Sequence, residues 1–158
     1  MSRQQFDKLD QSILKMLAEN ARKPYLEISR ECGVSGAAVH QRIQRLTANG
    51  VILGSKSVFN PVALGYETCS FVGVILNDPS QYSQMVEKLR KIPEVVECYY
   101  TSGQYDIFVK LYAINNDHLL DLLMKIQSMG PARTETLISF KQVFNRQLPI
   151  NDTDKNAK

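Results

Sequence analysis

Long apolar runs are missing from this sequence. No stretch approaches the roughly 20 apolar residues that cross a bilayer as a helix, so no membrane partner is expected. The opening residues, MSRQQFDKLD, lack the apolar core of a secretory signal, which points to a cytoplasmic protein. Cysteine is sparse: Cys32, Cys69 and Cys98 are odd in number and widely spaced, as expected of reduced thiols rather than a disulfide framework. Histidine is sparser. His40 and His118 stand far apart, with no cysteine or carboxylate cluster at ligand spacing, so no metal site is expected. His118 falls in the first turn of a predicted helix, where exposure to solvent is the simpler expectation. There is no P-loop, no Gly-x-Gly-x-x-Gly after a strand and no signature of an activated nucleophile. We therefore expect neither an enzyme nor a cofactor.

The most informative absence is that of acid. Between Cys32 and Tyr66 there is no Asp or Glu, only Arg42, Arg45 and Lys56 among the strong charges. The net charge of +3 hides this asymmetry, because residues 1–60 carry nine Lys/Arg against five acids and the remainder ten against eleven. A basic first third joined to a near-neutral remainder suggests one module for a polyanion and another for a different task.

In that first third, Leu9, Ile13, Leu14 and Leu17 form an apolar stripe of helical period, predicting a helix from Asp7 or Asp10 to Asn20. A shorter helix follows, with Tyr25, Ile28 and Cys32 on one face and Gly33 as its stop. Ser35 is a good cap for a third helix, and Asn49-Gly50 a good exit. Three helices, the last two separated by three residues, make a helix-turn-helix pattern. At 100° per residue, Val39, Ile43 and Leu46 of the third helix face inward, and Ala37, Gln41, Gln44, Arg45 and Ala48 face outward.

That outward face suits double-stranded DNA. Ser35, Gly36, Ala37 and Ala38 make a slim helix start that can enter a major groove and bring N–H groups to phosphate. Gln41 and Gln44 have the geometry to read adenine, and Arg45 to read guanine. His40 flanks them, as a phosphate contact or as a simply exposed side chain, and Lys56 adds a basic group beyond the helix. Arg42 lies nearer the core direction, and a structural ion pair to Asp7 or Asp10 is expected of it.

From residue 61 the pattern changes to strand, helix, strand, strand, helix, strand. TCSFVGVIL (68–76) reads as a strand, and Asp78-Pro79-Ser80-Gln81 as a helix start whose capping box Gln81 closes. VVECYYT (95–101) and YDIFVKLY (105–112) follow, joined by a turn at Ser102-Gly103-Gln104. A helix with Leu119, Leu122, Leu123 and Ile126 then ends at Gly130-Pro131, before a last strand within residues 133–145. The fold class is α+β: a helix-turn-helix joined to a ferredoxin-like βαββαβ domain. Tyr105, Ile107, Val109 and Leu111 are expected to face the two helices. The other sheet face also carries apolar residues, so self-association, at least to a two-fold dimer, is the expected cover. A dimer would offer two recognition helices to half-sites roughly 34 Å apart.

LDQSILKMLAENAR, GVSGAAVHQRIQRLTANGVI and IPEVVECYYTSGQYD closely resemble the Lrp/AsnC (feast/famine) transcription regulators, over about residues 7–149. The resemblance implies a winged helix-turn-helix domain with a linker strand (1–60) and an effector-binding and oligomerisation domain (61–150), while the polar composition of the tail NDTDKNAK (151–158) predicts disorder. It implies dimers that assemble into octamers and an amino-acid effector held between subunits. Its site would comprise Thr101, Ser102, Gly103, Tyr105 and Asp106 of one subunit, with Arg133, Thr134, Glu135 and Thr136 of another. Asp106 could answer an ammonium group, or could tie the turn to neighbouring backbone. Arg133 and Glu135 could pair with each other or select a polar or charged ligand. Two rivals remain: an effector-independent protein that wraps DNA, and a ferredoxin-like amino-acid-binding subunit or enzyme.

Overall fold

A carboxylate starts the first helix. Asp7 accepts the Asp10 backbone N–H at 2.9 Å, and the Asp10 side chain reaches back to the Asp7 N–H at 3.4 Å. This reciprocal box caps α1 (Lys8–Glu19) in the computed structural model, which describes residues 6–150. The tail expected to be disordered lies outside the described residues. The second helix, α2 (Tyr25–Cys32), ends at Gly33, whose φ of 66° is the left-handed value that favours glycine. Ser35 then opens α3 (Gly36–Ala48), its Oγ accepting the Ala38 N–H at 3.2 Å. Ile13, Ile28, Val39 and Ile43 meet at the centre, with Leu9, Leu17, Cys32, Val34 and Ile52 around them. Each buried aliphatic side chain contributes about 1.5–3 kcal/mol, which three short helices need.

The connector departs from expectation. No strand precedes Thr68 among the described residues, so neither the expected linker strand nor a wing is seen among them. Leu53, Val58 and Phe59 project into solvent. Among the described residues no strand lies beside the segment to receive its N–H groups, and an extended segment becomes a strand only by pairing. Arg22 Nη2 donates to Ser57 Oγ at 3.3 Å, holding one point of it. The chain divides into two compact units, one reaching to Ser57 and including the stretch from Asn145, the other Val58–Phe144.

The second unit runs β1 (Thr68–Ile75), α4 (Tyr82–Leu89), β2 (Val95–Tyr100), β3 (Ile107–Ala113), α5 (Asn116–Ser128) and β4 (Arg133–Ser139). Its sheet is antiparallel, in the order β2-β3-β1-β4, the ferredoxin-like arrangement expected from the pattern. Alternate residues Ile107, Val109 and Leu111 of β3 join Val72 and Val74 of β1 under the two helices, which contribute Met85, Leu89, Leu119, Leu122 and Ile126. Two local expectations fail. Asp78 accepts the Ser80 N–H at 2.9 Å and starts a 3-10 turn (Pro79–Gln81), instead of sharing a capping box with Gln81. A 3-10 turn brings the second residue's N–H, not the third's, to the capping oxygen.

Tyr105 does not face the helices. The strand begins only at Ile107, because the Asp106 N–H donates to Val74 O and the Thr101 N–H to Asp106 O, which breaks the alternation. The Tyr105 ring lies on the opposite sheet face, above Gly73, where a Cβ would sit 2.5 Å from it. It stacks on Phe108 at 5.8 Å, and Phe108 stacks on Phe71 at the same separation. Tyr66, Tyr112, Lys110 and half-exposed Leu137 extend this face, on which no helix or strand of the second unit packs among the described residues.

Candidate DNA-binding and effector sites

On α3 the sequence-derived faces hold. Val39, Ile43 and Leu46 are buried, and Ala37, His40, Gln41, Gln44, Arg45 and Ala48 are exposed. Ser35 stands exposed at the entry and Lys56 in the extended connector. The Ala38 N–H, expected to be offered to phosphate, is taken by Ser35. Gly36 and Ala37, as the first two helical residues, have N–H groups with no acceptor inside the helix, so these are the ones an anion could use. His40 rests against Tyr25 of α2, ring centres 5.9 Å apart.

Arg42 makes the ion pair expected of it, and with both candidate partners: Nη1 contacts Asp7 and lies 3.0 Å from Asp10 Oδ1. This contact, with the Asp10 backbone N–H, holds the Asp7 carboxyl below the usual carboxylate range. Arg45 was assigned to base reading, yet its Nη2 donates to Asp10 Oδ2 at 2.6 Å. Half of its side chain remains exposed, at 52%. It is thus both an internal partner and an outward-facing cation, a duality the helical wheel does not reveal.

In the second unit, Thr101 and Asp106 close the turn between β2 and β3. Thr101 Oγ1 donates to Tyr105 O at 2.6 Å, and Gly103 sits at φ 112° with Ser102 exposed beside it. Asp106 Oδ2 accepts the Leu76 N–H at 2.8 Å. Of the two roles open to Asp106, tying the turn to neighbouring backbone is the one its geometry performs. Tyr105 OH donates to Glu135 Oε2 at 2.8 Å, and Gln104 Nε2 donates to the same oxygen at 3.1 Å. The bond to Glu135 pushes the Tyr105 phenol above its ordinary pKa.

The two halves of the expected effector site therefore meet within one chain at Tyr105 and Glu135. They do not all share a face. Arg133 and Glu135 pair in register with Ile75 and Gly73 on the open side of the sheet. Thr134 and Thr136 pair with Val74 and Val72, on the helix side, where Thr134 Oγ1 donates to Gln127 Oε1 at 3.1 Å. Further along the open face lies a hollow of about 400 Å³ lined by Tyr66, Cys69, Phe71, Lys110, Tyr112 and Phe140, among others. Burial, the largest influence, draws the Lys110 ammonium down, but its bond to Glu97 and the fields of Glu97, Tyr112 and Cys69 together outweigh this and leave its pKa raised. Among the described residues, no group of three His, Cys, Asp or Glu could hold a metal ion.

Residues 6–47 match the AsnC-type helix-turn-helix domain and residues 69–149 the Lrp/AsnC ligand binding domain. The chain belongs to the Lrp/AsnC family. It is 39% identical to the regulatory protein AsnC of Haemophilus influenzae, over 90% of this chain and 96% of that one. The Escherichia coli K12 protein of the same name is 37% identical over 90% and 95%. The E. coli AsnC structure superposes with a TM-score of 0.86 at 36% identity, covering 92% of this chain and 99% of that one. A feast or famine regulatory protein from M. tuberculosis, complexed with L-methionine, gives a TM-score of 0.86 at 29% identity, with coverage of 92% and 99%. As a member of this family the chain is a DNA-binding transcription regulator with a ligand-binding domain.

Some positions in this Lrp/AsnC chain escaped sequence reasoning. Gly73 had a signal, since an isolated glycine inside a strand marks a close approach. The Gln104–Glu135 bond and the second bond of Asp10, to Arg45, had none, because those partners lie 31 and 35 residues away; of Asp10 only the pair with Arg42 was expected. His118 is not simply exposed: its Nδ1 accepts the Ile114 N–H at 3.2 Å, and Nε2 lies 3.8 Å from Glu94.

Proposed function

We propose that this regulator reads DNA through α3 and responds to an amino acid at the end of its sheet. Gln41 and Gln44, with the free part of Arg45, read base edges in the major groove, while Gly36 and Ala37 offer N–H groups to phosphate and Ser35, Ala38, His40 and Lys56 flank the contact. The observation that carries this reading is the exposed, acid-free outer face of α3. The open sheet face packs against a second copy to form a dimer, and dimers assemble further, to an octamer, in the cytoplasm.

The effector is an amino acid bound beside the Thr101–Asp106 turn and the Arg133–Thr136 strand. A relative's complex with L-methionine supports that ligand class. Ser102 and the turn around Gly103 face the ligand carboxylate, and Glu135 with Tyr105 its polar groups. Binding acts by linkage, since a ligand that prefers one quaternary state shifts the population and so the helices presented to DNA. There is no catalytic step.

The test is an anisotropy titration of the full chain on a duplex selected from random DNA, repeated with each of the twenty amino acids. Sequence-preferring binding that at least one amino acid strengthens or weakens is the expected result. Binding without sequence preference, unaffected by all twenty, would replace this reading with that of a DNA-wrapping protein.

A further inference from the structure

Asp10 is 1% exposed, yet it belongs to the first turn of α1, on none of the surfaces that touch DNA in the reading above. Its carboxylate is fully engaged. Oδ1 accepts from Arg42 Nη1 at 3.0 Å, while Oδ2 accepts from Arg45 Nη2 at 2.6 Å and from the Asp7 N–H at 3.4 Å. A carboxylate removed from water requires such partners. What matters is where the two arginines stand: they are three residues apart, nearly one turn of α3, and both are gripped by one side chain of another helix.

Gripping a helix at two points a turn apart fixes its rotation about its own axis. With side chains carried about 5–6 Å from the axis, a rotation of roughly 20° displaces their tips by about 2 Å. A hydrogen bond to a base edge tolerates only a few tenths of an ångström around its best distance. The same grip orients Arg45 directly. Its guanidinium has five N–H donors in a rigid fork, and Asp10 takes one, leaving a half-exposed cation whose orientation is set from within the protein.

We propose that Asp10 is a positioning residue that determines DNA sequence preference from outside the recognition helix, by fixing the rotation of α3 and the orientation of Arg45. The inference rests on the reading that α3 enters the DNA. Phosphate contacts tolerate small rotations because they depend on charge, whereas base contacts depend on direction. Asp10 therefore governs the ratio of specific to non-specific binding.

The test uses the full chain with Asp10→Asn, which keeps the shape and removes the charge, and Asp10→Glu, which keeps the charge and moves it by one methylene. Duplexes are first selected from random DNA by the wild-type protein. Each variant is then measured on the selected duplex and on a random one, with circular dichroism to establish folding. The expected result is a fall of about tenfold or more in the ratio of the two affinities, concentrated at particular base pairs when these are permuted. A purely structural role would weaken both affinities alike and leave the ratio intact, which overturns the proposal. Loss of folding in both variants overturns it as well, since Asp10 is then only a strut. A wild-type protein that selects no sequence overturns the DNA reading itself, and this inference with it.

Discussion

Alanine at position 73 has no room. A Cβ there meets Cδ1 of Tyr105 at 2.5 Å, near the root of the ring rather than at its flexible end. The ring can escape only by leaving Phe108 and giving up its bond to Glu135. We expect Gly73→Ala to cost about 1–3 kcal/mol in chemical denaturation, the usual penalty for overpacking. In a Tyr105→Ala background the same change should cost much less, and full additivity would show that the contact is not what matters. Gly73 thus belongs to the candidate effector site without offering any side chain to it, since it provides the floor on which Tyr105 lies.

At the scale of the element, α1 and α3 are joined by two acids and two arginines. The Asp7 carboxyl is held low by its bond to Arg42 and by the Asp10 N–H. A depressed folded-state pKa means that the contribution is present above the unfolded value of about 3.9 and is lost as the pH falls through the folded one. Asp7→Asn keeps a helix cap but removes the charge. Its melting temperature should lie below that of the wild type at pH 7, and the two should converge as the pH falls from the unfolded value through the lower folded one. A constant gap across that range would place the stabilisation in the cap rather than the ion pair. The helices themselves were legible because their signals are local: Ser35 and Gly33 sit next to what they cap or stop. The partners of Arg45 were not, because a helical wheel ranks directions on one helix and says nothing of a carboxylate on another.

At the scale of the whole molecule, the decisive feature is the uncovered sheet face with Phe71, Phe108, Tyr105, Tyr112 and Leu137. An apolar face of this kind is a liability for a chain that stays alone. Leu137 is 51% exposed in the chain, so Leu137→Lys should leave the protomer folded while placing a charge on the face proposed to pack against a second copy. We expect the dimer to weaken at least tenfold, about 1.4 kcal/mol, in sedimentation velocity across a concentration series. An unchanged association constant would move the interface elsewhere on the protein. Association could also cover the connector, where Leu53, Val58 and Phe59 are apolar, exposed and part of no strand among the described residues.

Sequence by itself determined the element order, the inward and outward faces of α3, the alternation of β3 and the charge split between the two halves. These depend on residues a few positions apart, so period and capping chemistry suffice to read them. Where the sequence misled, the cause was a bond between distant residues. Tyr105 follows the parity of β3 on paper, but Asp106 donates its N–H to Val74 and ends the alternation two residues early. Arg133 through Thr136 read as one lining, yet a strand divides its neighbours between two faces, and only pairing with β1 shows which residues share a face with Tyr105. A pair between Arg42 and Asp7 or Asp10 was legible from the sequence. Tertiary structure alone decided that Asp10 is buried and holds Arg45 as well, because burying a carboxylate requires partners that here arrive from a helix 35 residues away.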